Sequence, residues 1–149
     1  MVLEIKQFFY SITALVLLYV PSLTSADCNV AISGVSFGNY DVFTANATES
    51  TGELIVTCSV ETPYTLKLDP NSSGNFSERK MSNGTDFLTY NIYSDVARTL
   101  VWGDGTNSSV TISGQTGTTG QHPFYGRIPA KQNVSVGNYS DTIIITIVF

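Results

Sequence analysis

Through most of the chain, apolar residues return at every second position. Leu54, Val56, Cys58 and Val60 alternate with Ile55, Thr57 and Ser59. Tyr64, Leu66 and Leu68 alternate with Thr65, Lys67 and Asp69, and Leu88, Tyr90 and Ile92 with Thr89 and Asn91. Val110 and Ile112 alternate with Thr111 and Ser113, and Ile143, Ile145, Ile147 and Phe149 with Ile144, Thr146 and Val148. Extended backbone sends successive side chains to opposite faces, so this rhythm builds strands with one face in a core. No stretch keeps a helical period for long. Turn-forming clusters lie between the strands: Pro70-Asn71-Ser72-Ser73-Gly74, Ser82-Asn83-Gly84-Thr85 and Gly103-Asp104-Gly105-Thr106. Asp104-Gly105 after Leu100-Val101-Trp102 predicts a hairpin. The segment from Asn29 to Phe37 switches phase, with Val30 and Ile32 on one parity and Val35 and Phe37 on the other. Gly34 sits at the switch and predicts a bulge or kink. About seven short strands joined by turns predict an all-β sandwich.

Charge and composition narrow the partners. Apolar residues make up 42% of the chain and charged residues 13%, which excludes a disordered tail. Seven basic against 12 acidic residues give a net charge of −5. A chain this poor in Lys and Arg offers no basic face to a nucleic acid or to an anionic membrane.

The N-terminal segment reads as a targeting signal rather than as part of the fold. An apolar run from Phe8 to Val20 is interrupted only by Ser11 and Thr13, and Pro21 ends it. Thr24-Ser25-Ala26 then supplies small residues before a cut. Residues 1–26 are therefore expected to be a secretory signal peptide cleaved after Ala26, leaving one domain over 27–149. The alternative is an uncleaved anchor, but the run is shorter than the roughly 20 residues a spanning helix needs. Export brings Cys28 and Cys58 into an oxidising compartment, where a disulfide is expected. It would close a loop of about 30 residues and stabilise by roughly 3–4 kcal/mol. A thiol nucleophile or metal ligand is the rival reading, and the chain has one His and no second Cys pair to support it.

Catalytic chemistry finds little material. A nucleophile–His–acid triad could use only His122, in Gly120-Gln121-His122-Pro123, a setting that reads as an exposed loop. The carboxylates are scattered singly, so no acid pair for glycoside hydrolysis stands out. Metal ligands are lacking, and a β-turn accounts for Gly103-Asp104-Gly105-Thr106 better than a phosphate or calcium loop does. The expectation is a protein that is not an enzyme, has no cofactor, metal or small-molecule substrate, and has no nucleic-acid partner. Seven Asn-x-Ser/Thr sequons begin at Asn46, Asn71, Asn75, Asn83, Asn107, Asn133 and Asn138; they are glycosylation acceptors if the protein is a eukaryotic secreted one, and a chain this rich in Ser and Thr also produces several by composition. The final stretch, Thr142 to Phe149, is the most hydrophobic of the mature chain. A long exposed apolar edge is an aggregation hazard, so a strand of this kind is expected either in mid-sheet or beside an edge that another strand covers.

A set of motifs then falls into a recognisable order. Cys28-Asn29-Val30 is followed by Val35-Ser36-Phe37-Gly38-Asn39-Tyr40-Asp41 and Gly52-Glu53-Leu54-Ile55-Val56-Thr57-Cys58. Arg79-Lys80-Met81, Leu88-Thr89-Tyr90-Asn91-Ile92-Tyr93-Ser94-Asp95 and Trp102-Gly103-Asp104-Gly105-Thr106 come next. Phe124-Tyr125-Gly126-Arg127-Ile128-Pro129-Ala130-Lys131-Gln132 and Gly137-Asn138-Tyr139-Ser140-Asp141-Thr142 complete the series. In this order and spacing the mature chain resembles the spore coat protein U domain family. That family includes the pilins of archaic, Csu-type chaperone–usher pili, which serve surface attachment and biofilm formation.

The resemblance implies an immunoglobulin-like sandwich lacking one strand. A periplasmic chaperone, and later a neighbouring pilin subunit, supplies the missing strand, and an outer-membrane usher assembles the fibre. It implies a groove with Ile143, Ile145, Ile147 and Phe149 on one side and Val30 and Ile32 on the other. It also implies that the Cys28–Cys58 bridge ties the first strand to the end of the second. Cleavage after Ala26 would leave only Asp27 before Cys28 and no donor segment of the subunit's own. Such a subunit accepts a strand without giving one, as a tip or minor subunit would. The alternatives are a secreted coat or matrix protein that does not polymerise, and a secreted carbohydrate-binding or enzymatic sandwich.

Overall fold

The computed structural model describes residues 27–116 and 119–149. The expected signal peptide, residues 1–26, lies outside the described residues. Eight strands form among them: β1 (Cys28–Ser33), β2 (Thr48–Cys58), β3 (Thr62–Leu68), β4 (Arg79–Ser82), β5 (Phe87–Tyr93), β6 (Ile112–Thr116), β7 (Thr119–Ile128) and β8 (Ile145–Val148). One turn of 3-10 helix, Asn71–Ser73, follows β3. The strands make two antiparallel sheets, a five-stranded one in the order β1-β2-β7-β5-β4 and a three-stranded one in the order β6-β3-β8. The fold is the expected all-β sandwich.

The period-two residues form the core between the sheets. Leu54 and Val56 of β2, Leu66 and Leu68 of β3, and Leu88, Tyr90 and Ile92 of β5 are buried. Trp102 is fully buried and stitches the layers together. Its backbone N–H donates to Ile92 of β5 and its indole Nε1 donates to the Leu66 carbonyl of β3 at 3.2 Å. Cys28 and Cys58 face each other in the β1–β2 register and are joined by a disulfide.

Three expectations are corrected. The segment after Ser33 does not continue as a strand. At Gly34 the chain leaves the edge of the large sheet, and Val35 and Phe37 turn inward over Gly126 of β7. A Cβ at Gly126 would lie 2.6 Å from the Phe37 ring, so only glycine admits this crossing. The phase switch thus marks a change of layer. Asp104-Gly105 does not close a two-residue hairpin. Asp104 caps the N–H and hydroxyl of Thr106, Gly105 takes φ 92°, and the chain makes a wider loop. That loop brings Val110 alongside Trp102 in a parallel bridge. Finally, Gly120-Gln121-His122-Pro123 is not a loop. It lies within β7, paired with β2, and Pro123 sits outside the stretch where β5 pairs on the other side, residues 125–127.

Candidate strand-acceptor groove

The two sheets are unequal, and β6 and β8 are the edges of the smaller one. β8 pairs with β3 alone and its other edge has no strand partner among the described residues. β1 is likewise an edge, hydrogen-bonded to β2 alone. In its register, Val30 lies opposite Val56 and Ile32 opposite Leu54, so all four share the core-facing side. Val56 and Leu54 are buried, yet Val30 is 40% and Ile32 56% exposed. The inner face of β1 therefore has no layer over it. By contrast, the β4 edge is bridged at its last residue, where Ser82 exchanges backbone hydrogen bonds with Ser140.

The gap is a groove of about 950 Å³. The segment after β1 forms one wall with Val35, Phe37, Tyr40, Val42 and Phe43. The approach to β8 forms the other with Val134, Val136, Tyr139, Asp141 and Ile143. Core residues Leu68, Leu88, Ile92, Trp102, Phe124 and Ile128 lie at its floor. Phe43 and Val136 stand almost fully exposed at its rim.

The sequence-derived groove residues fall into two groups. Ile32 and Ile143 line this groove together. Val30 lies on the same uncovered face of β1 but outside the groove lining. Ile145 and Ile147 pair with Leu68 and Leu66, point inward and are half-buried against the core rather than in the groove. Phe149 is exposed beyond the end of β8, with its ring against Tyr64. Sequence reasoning missed the wall from Val35 to Phe43. The parity switch at Gly34 was its signal, because it reverses which residues face inward.

Two polar clusters border this architecture. At one end, Arg79 is completely buried, donates to the carbonyls of Asp69 and Trp102, and lies 5.7 Å above the Phe76 ring. Burial lowers the pKa of its guanidinium, while Tyr90, Asp141 and Asp69 act to raise it. The Asp141 carboxylate accepts hydrogen bonds from Asn71 and from the Tyr90 hydroxyl, the latter at 2.5 Å. Burial first, and the Asp141 carboxylate second, push the Tyr90 phenol far above its ordinary range, so it stays protonated and donates. Elsewhere, Tyr64 of β3 bonds His122 of β7 at 2.7 Å, linking the two sheets. Gly114 and Gly120 leave room for the Tyr64 ring. Desolvation lowers the His122 pKa, which favours the neutral imidazole in this contact.

Among the described residues no hydrolytic centre assembles. Gly34-Val35-Ser36-Phe37-Gly38 has the spacing of a nucleophile elbow, but Ser36 follows a strand end rather than a strand-to-helix turn. The Ser36 carbonyl bonds Ser50, which pairs with Gly126. His122 is four residues further along β7, roughly 13 Å away at strand spacing, and is engaged by Tyr64.

The Spore Coat Protein U domain matches residues 13–146. The chain belongs to the Spore Coat Protein U domain family. Protein U of Myxococcus xanthus is 31% identical over 128 residues, 77% of this chain and 71% of that protein. The fold also matches a chain in the crystal structure of the CsuC–CsuE chaperone–tip adhesion subunit pre-assembly complex, from the archaic chaperone–usher Csu pili of Acinetobacter baumannii. The TM-score is 0.62 at 25% identity, over 84% of this chain and 40% of that one. The protein thus spans less than half of its structural neighbour. Membership in the Spore Coat Protein U domain family makes it a structural protein rather than an enzyme. The disulfide and the likeness to a pilus-subunit complex place it outside the cytoplasm.

Proposed function

We propose that this protein is a strand-accepting subunit of a chaperone–usher fibre. Residues 1–26 direct export and are removed. A periplasmic chaperone then lays a strand into the groove beside β8, and a neighbouring subunit replaces it at the usher. Backbone hydrogen bonds to the free edge of β8 supply affinity, and alternate side chains fill the apolar groove. The observation that carries this reading is the uncovered inner face of β1, where Val30 and Ile32 remain exposed opposite buried partners. A monomer that ends its life alone gains nothing from leaving that face open. With a cut after Ala26, only Asp27 precedes Cys28, and the subunit accepts a strand without offering one. That suits a tip or minor position, where the fibre serves surface attachment and biofilm formation.

The name of the Spore Coat Protein U domain family favours a second reading, a secreted coat or matrix protein that does not polymerise. Periplasmic expression with and without the cognate chaperone separates the two. The fibre reading expects a 1:1 chaperone complex beginning at Asp27 and little soluble protein without the chaperone. A stable monomer secreted alone, with protected amides throughout both sheets, overturns it in favour of the coat protein.

A further inference from the structure

The inward-facing row of the β8 segment does not stay apolar. Ile147 and Ile145 pair with Leu66 and Leu68, and Ile143 continues the same parity into the groove. The next position on that parity is Asp141, which also lines the groove. The Asp69 N–H bonds the Ile144 carbonyl, so this run stays alongside the end of β3 up to that point. Ile143, Ile145 and Ile147 are all hydrocarbon, and here there is a half-buried carboxylate.

Its oxygens are only partly used. Oδ2 accepts from Tyr90 and Asn71, and Oδ1 accepts from the Thr142 N–H. An ionised carboxylate has about four acceptor sites, so one remains on Oδ1. The buried Arg79 guanidinium lies near enough to act on the same cluster, which keeps a carboxylate tolerable at this depth. An apolar side chain placed over Asp141 would strip water from that last site and leave it unsatisfied. A hydroxyl placed there would satisfy it.

We infer that Asp141 sets the register of the incoming strand by requiring a side-chain hydrogen-bond donor at the end of its apolar row. This rests on the groove being a strand acceptor. The occupant is then an extended segment whose inward positions are apolar over Ile143 and beyond, with Ser or Thr over Asp141. One-residue slips reverse every side chain, and two-residue slips place a hydrocarbon on the carboxylate, so this one position rejects both.

Synthetic peptides test it. Each carries valines alternating with serines, with the terminal inward positions, at both ends, either Thr or its isostere Val. Exchange of each labelled peptide into the full chain, presented as its 1:1 complex with the periplasmic chaperone, is followed by fluorescence anisotropy. The Thr peptide is expected to bind about tenfold more tightly. In Asp141→Leu the preference should vanish or reverse. Should that variant fail to fold, the two peptides still report on the unmodified chain. Equal binding of both peptides overturns the register role of Asp141 and leaves the groove as a strand acceptor. Binding of neither overturns both.

Discussion

His122 shows what one residue gains from its place in the sheet. In the sequence it stands beside Pro123 in a Gly-rich stretch and reads as a loop residue. In the structure it sits on β7, with its Nε2 hydrogen-bonded to the Tyr64 hydroxyl of the facing sheet. Desolvation lowers its pKa, and no charged side chain contributes to the shift. The unfolded chain therefore binds a proton that the folded one resists. Stability should be full above the unfolded pKa of about 6.5 and decline as pH falls through the window below it. The chain has a single His, so its imidazole resonance can be followed without assignment. We expect a titration midpoint below 6.5 and a loss of stability over the same range, with His122→Phe flattening that slope. A midpoint at or above 6.5 would contradict the assignment. Arg79 is the opposite case for legibility. Its burial among Asp69, Trp102 and Phe76 has no signature in a sequence where Arg normally marks the surface.

At the scale of elements, the strands that sequence reveals are those with one buried and one wet face. β2, β3 and β8 alternate cleanly, and their register keeps that alternation, while β5 buries Asn91 on its second face as well. β7 was hidden because Gly120, Pro123 and Gly126 are poor strand formers, each there for a local reason. Two of them make room for Tyr64 and Phe37. β4 is four residues long and spends one on buried Arg79. β1 was visible, but where it ends was not, since a phase switch looks the same whether a strand bulges or changes layer. Its position makes the disulfide unusually important. With Val30 and Ile32 uncovered, the β2 ladder and the Cys28–Cys58 bond hold β1 in place. Replacing both cysteines by Ser should cost about 3–4 kcal/mol for a separation of 30 residues. Hydrogen exchange should show β1 amides losing protection first, while β5 and β7 remain slow. Uniform loss across the large sheet would mean that β1 is integral to the core rather than an appended edge.

For the molecule as a whole, the sequence showed which residues face inward but not that a place beside them is empty. A missing strand leaves no residues to read, so it was signalled only indirectly, by the apolar final stretch and by the resemblance. The structure turns that expectation into a physical asymmetry. The β4 edge is bridged at Ser82 by Ser140, while among the described residues the β8 edge and the inner face of β1 stay open. Ile143 and Ile144 test this asymmetry as neighbours that differ only in facing. Ile143 lines the groove, and Ile144 is 61% exposed on the outer side. Ile143→Asp would bury an unpaired charge beneath an incoming strand, weakening chaperone capture by at least about 2 kcal/mol, some thirtyfold. Ile144→Asp makes the same chemical change on the wet face and should leave capture within a few fold. The pair controls for a general effect of added charge, and co-purification with the chaperone provides the readout. Equal losses from both would mean that capture depends on the β8 segment as a whole. Retention by Ile143→Asp would show that the strand seats elsewhere, and the open face of β1 would then be the place to look.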